Sequence, residues 1–354
     1  MNKIEFGDNR QTMRRWAEEG VKVQTCVTSP PYYGLRDYGT GTWVGGDPEC
    51  SHKRDSKHSD KTITGHANTD LVVGDAIYKS TCPKCGAVRE DLQLGLEETP
   101  EEYIATMVDV FRHVKNILAD DGTLWLNIGD SYAGSGGSGN QFGQLEKGLT
   151  KYKQGGKPQD FGCKSKDLIG IPWMLAFALR ADGWYLRQDI IWHKPNPMPE
   201  SVKDRCTKSH EYIFLLSKSK NYYFDSESIK EEATSTDESN RDRDESKLNN
   251  TPGRTRMAGL TTNHYEKKNK RSVWNVATKP YAGAHFAVFP SDLIEPCILA
   301  GAPTGGIVLD PFMGSGTTAQ VAQHLGRQYM GCELNLAYKK LQDQRLAQGS
   351  FVFE

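Results

Sequence analysis

Two short motifs near opposite ends of the chain contain the residues best suited to chemistry. The first is Ser29-Pro30-Pro31-Tyr32, and the second has the sequence DPFMGSGTT over residues 310–318. Two consecutive prolines fix their own φ angles and restrict the residue before each, so the first motif is held in one geometry before any substrate arrives. The glycines of the second motif let the backbone approach a ligand closely.

The first motif has the groups needed to activate a planar amino group. Such a group is a poor nucleophile because its lone pair is delocalised into the ring. Two acceptors aimed at its hydrogens, Ser29 Oγ and the Pro30 carbonyl oxygen, would favour the pyramidal, nucleophilic form. Tyr32 would stack on the flat face of an extruded base. The alternative is an edge-of-sheet turn with a packed tyrosine, which Pro-Pro-Tyr alone would favour.

The second motif lies between a short apolar strand and a helix. Amides at the start of that helix can bind an anion or a carboxylate. Glu333 follows at the end of the next strand, where dinucleotide-binding folds place an acidic residue that accepts hydrogen bonds from ribose hydroxyls. No lysine follows the second glycine, and the pattern is not Gly-x-Gly-x-x-Gly, so a P-loop and a nicotinamide cofactor are both disfavoured. The alternative is an ordinary tight turn between strand and helix.

Three of the eight cysteines form a metal-ligand pattern. Cys82 and Cys85 have the spacing of a zinc knuckle, and Cys50 and His52 offer two more ligands upstream. Three thiolates and one imidazole make a closed set typical of structural zinc. The surrounding segment has too few apolar residues to fold alone, so a metal would supply the missing stability. The alternative is a pair of reduced surface cysteines, and the rival fourth ligands are His58 and His66.

The composition is that of a globular protein with long polar loops. Of 354 residues, 37% are hydrophobic and 25% are charged, and the formal net charge is −1. This balance excludes a globally basic nucleic-acid binder but allows a local basic surface. No apolar run reaches membrane-spanning length, and the N-terminus lacks the apolar core of a signal peptide. A cytoplasmic protein without a membrane partner is therefore expected.

Strands and helices alternate along the chain. Thr99 and Glu102 form a capping box, and Pro100 takes the first helical position, so a helix over 99–118 is predicted. The alternation predicts an α/β fold with a mostly parallel, doubly wound sheet covered on both faces. Further helices are predicted at 168–180 and 317–325 and from about 289, and strands at 21–27, 123–128, 185–192, 212–216, 306–309 and 328–332.

Together the two motifs resemble those of the S-adenosylmethionine-dependent DNA amino-methyltransferases. They resemble more narrowly the beta group, in which the catalytic motif precedes the cofactor motif. The family's catalytic tetrapeptide, Asp/Asn/Ser-Pro-Pro-aromatic, is matched at 29–32, and its Asp-Pro-Phe-x-Gly-x-Gly-Thr at 310–317. Its ribose-binding acid is matched by Glu333, and its Gly-Asp by Gly7-Asp8. Four further stretches also resemble segments of the same family, at 121–127, 191–197, 210–212 and 285–290.

The resemblance implies which residues form the two sites. The catalytic residues would be Ser29, Pro30, Pro31 and Tyr32. The S-adenosylmethionine site would comprise Asp8, Thr28, His285, Phe286, Pro290, Asp310, Pro311, Phe312, Gly314, Ser315, Gly316, Thr317, Thr318 and Glu333.

The resemblance also implies a circularly permuted, Rossmann-like methyltransferase fold. The catalytic half of the core would span 1–40, a zinc-binding insertion 41–97, and further core 98–199 with a mobile loop at 131–166. A polar target-recognition region would span 200–271, including a core strand near 211–217, and the cofactor-binding half 272–354. The two ends of the chain must then meet in space.

The implied reaction is direct attack of the amino nitrogen of a flipped base on the sulfonium methyl group. Ser29 favours cytosine N4, because serine at this position usually accompanies that product, whereas Asp or Asn usually accompanies adenine N6. The alternatives are adenine N6, amino methylation of RNA or protein, and a zinc-bearing nucleic-acid-binding module without activity.

The expected partner is double-stranded DNA in a bacterial or phage system, and a cognate restriction enzyme and a homodimer stay open. Clusters of basic residues in and beside the polar region can neutralise phosphates. The predicted DNA contacts are Lys203, Arg205, Lys208, Arg254, Arg256, Lys267, Lys268, Lys270 and Arg271.

Overall fold

The computed structural model describes residues 1–34, 40–52, 81–133, 162–233, 266–278 and 289–348. Its strands are β1 (Lys3–Phe6), β2 (Val23–Thr28), β3 (Thr42–Val44), β4 (Val88–Glu90), β5 (Leu118–Ile128), β6 (Tyr185–His193), β7 (His210–Ser217), β8 (Glu231–Glu232), β9 (Lys267–Lys268), β10 (Val273–Asn275), β11 (Ile307–Asp310) and β12 (Gln328–Glu333). Its helices are α1 (Asn9–Glu18), α2 (Pro100–Ile117), α3 (Ile171–Ala181), α4 (Ser291–Gly301), α5 (Thr317–His324) and α6 (Lys339–Gln348).

Eight of these strands form one sheet in the order β1-β12-β11-β2-β5-β7-β6-β10. Strand β7 runs antiparallel to both of its neighbours, and the other pairs in this sheet are parallel. The hairpin β3-β4 and the ribbon β8-β9 lie apart from it. The predicted mostly parallel α/β sheet is therefore confirmed, although no sequence pattern had indicated the reversed strand.

Helices cover both faces of the sheet. Alternate residues of β5 show this, because Leu124 and Leu126 belong to one buried cluster while Trp125 belongs to the other. Helices α1, α2 and α3 pack in the first cluster, and α4 and α5 pack in the second. Both halves of the capping box of α2 form as predicted, with Thr99 and Glu102 each accepting from the other's backbone amide. The sheet is thus doubly wound.

The topological switch point of the sheet lies between β11 and β2. From β11 the chain continues through α5 to β12 on one side, whereas the strand after β2 in the sheet order is β5 on the other side. These two strands pair directly, with Val308 opposite Thr25 and Leu309 opposite Cys26. Open α/β sheets bind ligands in the crevice at the carboxyl ends of such strands. The two ends of the chain meet there, as predicted.

Several element boundaries differ from those predicted. Strand β5 begins at Leu118, directly after α2. Helix α3 begins at Ile171 because Gly170 takes a left-handed conformation, with φ 86°, just before it. Strand β1 and helix α1 were not predicted, because both are short and α1 is polar overall, with Thr12, Met13 and Trp16 as its buried residues. In the described part of the chain, no helix is both long and apolar enough to span a membrane.

Candidate active site at the switch point of the sheet

Asp310, at the carboxyl end of β11, joins the two predicted motifs. Thr28 Oγ1 donates to Asp310 Oδ1 at 2.6 Å, and Thr318 Oγ1 donates to Oδ2 at 2.6 Å. The backbone amide of Phe312 donates to the same carboxylate at 3.0 Å. Burial raises the pKa of Asp310 to about 6, although these donors favour the ionised form. The side chains of Thr28, Asp310 and Thr318 are all buried, so they hold the glycine loop from the interior of the protein.

Glu333 holds the same loop from the neighbouring strand. Its carboxylate accepts from the amide of Gly314 at 2.7 Å and from the amide of Asn335 at 2.8 Å. Burial raises the pKa of Glu333 to about 7, against the effect of these amide donors. The predicted strand–glycine turn–helix–strand–acid arrangement is therefore present, with Gly316 left-handed at φ 88° where the turn enters α5.

Helix α6 supports the glycine loop from a position that the sequence did not reveal. Gln342 Nε2 donates to the Gly314 carbonyl oxygen at 2.7 Å. Arg345 Nη1 donates to Ser315 Oγ at 3.1 Å and to Thr317 Oγ1. Ser315 and Thr317 were predicted as cofactor contacts, and in the structure their hydroxyls are paired with this buried arginine. Glutamine and arginine on a short polar helix carry no sequence signal for this role.

The N-terminal Gly7-Asp8 turn lies against the glycine loop. Gly7 donates its amide to the Glu333 carbonyl oxygen at 2.8 Å, and Asn9 Nδ2 donates to the Pro311 carbonyl oxygen at 3.1 Å. The Asp8 carboxylate accepts from the Arg10 amide at 2.7 Å as the N-cap of α1 and forms an ion pair with the Arg10 guanidinium. Pro290 is the buried N-cap residue of α4. The predicted contacts His285 and Phe286 lie outside the described residues.

The Ser29–Tyr32 loop follows β2 directly and is held by several hydrogen bonds. Tyr103 Oη on α2 donates to the Pro31 carbonyl oxygen at 2.8 Å. The Gly34 amide donates to the Gly95 carbonyl oxygen at 2.8 Å, and Tyr33 Oη donates to the Glu98 carbonyl oxygen at 3.1 Å. These contacts anchor the loop, and Tyr103 takes one acceptor position of the Pro31 carbonyl oxygen.

Tyr32 ends in a polar network that was not predicted. Its hydroxyl donates to Glu211 Oε2 at 2.7 Å and lies 3.2 Å from Asn127 Oδ1, and Ser29 lies beside it. Glu211 in turn forms an ion pair with Lys194. Burial, and then the Glu211 carboxylate, raise the pKa of Tyr32 well above its usual range, so the hydroxyl stays protonated and donates.

The ring of Tyr32 packs against the backbone at the end of β5. A Cβ on Gly129 would come within 2.7 Å of the ring, which explains glycine at this position. Asn127 and Glu211 come from neighbouring strands and lie 95 and 179 positions away from Tyr32 in the sequence. These side chains therefore fix the tyrosine through contacts that only the folded sheet creates.

Cys50, His52, Cys82 and Cys85 lie together, as predicted. Their ligand atoms are all within 4.8 Å of one another. Hydrogen bonds from the Ala87 amide, and then from Asp47, lower the pKa of Cys85 to about 6, which favours a thiolate. The rival ligands His58 and His66 lie outside the described residues.

The predicted DNA contacts divide into two groups. Near the catalytic loop, Lys208 Nζ donates to the Asp130 carbonyl oxygen at 3.0 Å, and the Arg205 guanidinium lies 4.1 Å from the centre of the Tyr132 ring. Lys203 beside them is exposed. The second group, on and after β9, is balanced by acids. Lys267 and Lys268 pair with β8, Lys270 and Arg271 form ion pairs with Glu231, and Arg254 and Arg256 lie outside the described residues.

The fold and the site define an α/β protein that binds a nucleotide-like ligand beside a proline-rich catalytic loop. A family model for N6/N4 methyltransferases, described as DNA methylase, matches residues 23–344. The chain belongs to this DNA methylase family and is a DNA methyltransferase. It is 43% identical to the Type II methyltransferase M.SmaI of Serratia marcescens over 97% of this chain and 90% of that protein.

Two solved structures share the fold. One is the PvuII DNA methyltransferase, titled as cytosine-N4-specific, with a TM-score of 0.52, 15% identity, and coverage of 97% of this chain and 86% of that one. The other is TTHA0409 of Thermus thermophilus, a protein assigned as a DNA modification methylase, in complex with S-adenosyl-L-methionine. It has a TM-score of 0.52 and 18% identity, and the match covers 100% of this chain and 96% of that one.

Proposed function

We propose that the protein transfers a methyl group from S-adenosylmethionine to N4 of a flipped cytosine in double-stranded DNA. The observation that carries methyl transfer at this site is the 2.6 Å hydrogen bond from Thr28 to Asp310, and Ser29 carries the choice of cytosine N4. Thr28 immediately precedes Ser29, and Asp310 opens the glycine loop, so this contact fixes the catalytic loop beside the cofactor loop. The nucleophile and the methyl donor would then meet without further rearrangement of the two loops.

The glycine loop and Glu333 would hold the cofactor. Glu333, when ionised, accepts hydrogen bonds from ribose hydroxyls, and the glycine backbone admits the ligand without a Cβ obstacle. Asp310, Thr28 and Thr318 position this loop rather than contact the cofactor, because their side chains are buried against one another. Bound S-adenosylmethionine supplies an electrophilic methyl group on a sulfonium.

Ser29 Oγ and the Pro30 carbonyl oxygen would orient the amino group of the target base. Both accept its hydrogens, which concentrates the lone pair on nitrogen and directs it at the methyl group. Tyr32 would stack on the base, and the prolines keep the loop rigid. No covalent enzyme intermediate is needed: as the nitrogen–methyl bond formed, the sulfonium–methyl bond would break and leave a thioether, and the proton lost from the amino nitrogen would pass to water.

The experiment that tests the proposal is mass spectrometry of nucleosides after the enzyme acts on unmethylated DNA. We expect N4-methylcytosine, because the first position of the catalytic motif is Ser29. N6-methyladenine as the sole product would replace the cytosine assignment. Incubations with RNA and with protein under the same conditions should give no methylated product, and a methylated RNA or protein without methylated DNA would overturn the DNA substrate.

Glu211 is expected to position Tyr32 for stacking. Glu211→Ala should lower kcat by about 10²-fold, because a misplaced stacking residue misaligns the amino group. Glu211→Gln keeps an acceptor for the tyrosine hydroxyl and should restore part of the rate. The measurements are kcat and KM for S-adenosylmethionine, and the KM should stay unchanged in both variants. An equal loss of cofactor affinity would show instead that Glu211 only stabilises the fold.

The DNA surface that we infer lies beside the catalytic loop. Lys203 is exposed there, and Arg205 and Lys208 are held next to the loop after β5 by Tyr132 and Asp130. The cations around β9 face Glu231 and Glu232, and Arg205 is likewise paired with Glu200, so a DNA phosphate would have to replace a carboxylate at each of these positions. Since its relative is a bacterial Type II methyltransferase, we infer a cytoplasmic role in restriction-modification, with a cognate endonuclease as partner; a homodimer stays a further proposal.

A further inference from the structure

The hairpin β3-β4 brings two ligand-bearing loops into contact. Gly46 lies just before the first loop, and a Cβ there would come within 2.9 Å of the Cys85 carbonyl oxygen and 2.8 Å of the Ala87 amide. In the second loop, the Gly86 amide donates to the Cys82 carbonyl oxygen at 2.8 Å, which turns the chain sharply around Cys85. This close backbone packing directs side chains from both loops to one point.

The His52 ring has a buried nitrogen with no hydrogen-bond partner among the residues that the structure describes. The backbone of His52 adopts a left-handed conformation with φ 52°, which is uncommon for a residue other than glycine. The ring stacks on Trp43 at 4.4 Å, and the buried nitrogen is Nε2. A buried, unpaired imidazole nitrogen is costly unless something binds it. Three free thiols lie within reach of it.

We propose that Cys50, His52, Cys82 and Cys85 bind one structural zinc ion that braces the catalytic loop. Three thiolates and one imidazole form the closed tetrahedral set that structural zinc prefers. A disulfide would use two of the sulfurs and leave the third sulfur and the imidazole nitrogen unpaired. The site therefore takes a soft divalent cation with no position open to substrate.

The link to the catalytic loop runs through the segment that follows β4. Asp91 accepts from Thr40 Oγ1 at 2.8 Å and pairs with the Arg89 guanidinium, so both ends of the hairpin are joined at its base. Four residues later, Gly95 accepts from the Gly34 amide and packs so tightly that a Cβ would lie 2.9 Å from the Tyr32 carbonyl oxygen. Metal binding would fix the hairpin, and the hairpin would hold the segment from Asp91 to Gly95 against the catalytic loop.

The brace rests on the proposed function, since it assumes that Tyr32 positions the target base. The metal site itself does not. The experiment uses the untagged full-length chain and measures its metal content by mass spectrometry, S-adenosylmethionine affinity by calorimetry, and kcat on unmethylated phage DNA. The variants are Cys82→Ser, the ligand exchange Cys85→His, and the control Cys206→Ser, which removes an exposed cysteine outside the cluster.

We expect about one zinc per chain in the wild type and in Cys206→Ser. Cys82→Ser should lose the zinc and keep its cofactor affinity, while its kcat falls by about 10²-fold because the loop is misplaced. Cys85→His should keep both zinc and most of the rate. If Cys82→Ser fails to fold, removing zinc from the wild type with a chelator and then restoring it should abolish and recover turnover.

Two results would overturn the proposal. Wild-type protein without zinc would remove the metal site, and zinc-free protein turning over at the wild-type rate would remove the brace. Cobalt substitution gives a readout that needs no methyl transfer, because thiolate-ligated tetrahedral cobalt has distinctive absorption. Trp43 gives another, since its fluorescence should respond to metal and the response should vanish in Trp43→Phe. Failure of the proposed role of Tyr32 in positioning the base would leave both spectroscopic signals intact.

Discussion

Replacement of Ser29 by alanine should lower kcat for methyl transfer by about 10²- to 10³-fold, the cost of removing one preorganised acceptor from a reacting centre. Ser29 follows Thr28, which is fixed to Asp310, so its hydroxyl is placed before the base arrives. Alanine leaves the Pro30 carbonyl as the single remaining acceptor for the amino hydrogens. The measurement is single-turnover methyl transfer to unmethylated DNA with saturating cofactor.

The loss should appear in the chemical step alone. Affinity for S-adenosylmethionine, measured by calorimetry, should match the wild type, because Ser29 is not part of the glycine loop. Ser228→Ala, which removes a hydroxyl bonded to the Asp225 carbonyl oxygen in an exposed turn, is a matched control that should keep full activity. A Ser29→Ala enzyme within about twofold of the wild-type rate would refute the assigned role.

Replacement of Glu333 by glutamine should weaken S-adenosylmethionine binding by roughly 10- to 100-fold, since hydrogen bonds to a charged acceptor are each worth about 1.5–3 kcal/mol. Glutamine keeps the shape and one oxygen for the Gly314 amide, but its NH2 group would face the Asn335 amide, which is a second donor. The melting temperature is therefore measured beside the Kd, to separate a displaced loop from a lost ribose contact. Calorimetry measures the Kd, and kcat at saturating cofactor should change little. Glu295→Gln, on the exposed face of α4, is the control, and equal affinity in both variants would contradict the ribose contact.

The same carboxylate should make cofactor binding depend on pH. The pKa of Glu333 is raised to about 7, and its ionised form is the better acceptor for hydroxyl hydrogens. Affinity should therefore rise as the pH increases from about 6 to about 8, on either side of this pKa. Asp310, with a pKa raised to about 6, titrates nearby, so the decisive measurement is the difference between the wild type and Glu333→Gln. A flat profile for the wild type would refute this assignment.

Glu333 should affect folding stability in the opposite direction: cofactor affinity rises with pH, whereas the contribution of Glu333 to the free energy of unfolding falls. The folded protein binds the Glu333 proton more tightly than the unfolded chain, whose carboxyl has its ordinary pKa of 4.5. The contribution of this group to the free energy of unfolding is therefore greatest below about 4.5 and falls as the pH rises through about 7. In the proposed role of Glu333, cofactor binding at neutral pH would offset this cost by pairing the ionised carboxylate.

Residue types, local spacing and the resemblance to the DNA amino-methyltransferases together predicted the residues proposed for the site. Backbone restrictions, helix termini and donor atoms mark the rigid Ser29–Tyr32 loop, the glycine turn, Glu333 and the four proposed metal ligands, and the resemblance supplied the roles in methyl transfer. The capping box of α2 was predictable for the same reason, because its partners lie three residues apart. The order of the motifs also predicted that the two ends of the chain meet. The catalytic motif lies near the N-terminus and the cofactor motif near the C-terminus, and both must lie at the same edge of one sheet.

The support of these parts depends on long-range contacts that arise only in the folded protein. Glu211 and Asn127 reach Tyr32 from neighbouring strands, and Gln342 reaches the Gly314 carbonyl from α6, 28 positions away. Such contacts join ordinary polar residues across the fold, so no local pattern marks them. The reversal of β7 and the turning of Asp310 toward Thr28 and Thr318 have the same origin. The sequence names the groups that can do the chemistry, and packing decides which of them face the substrate and which hold the others still.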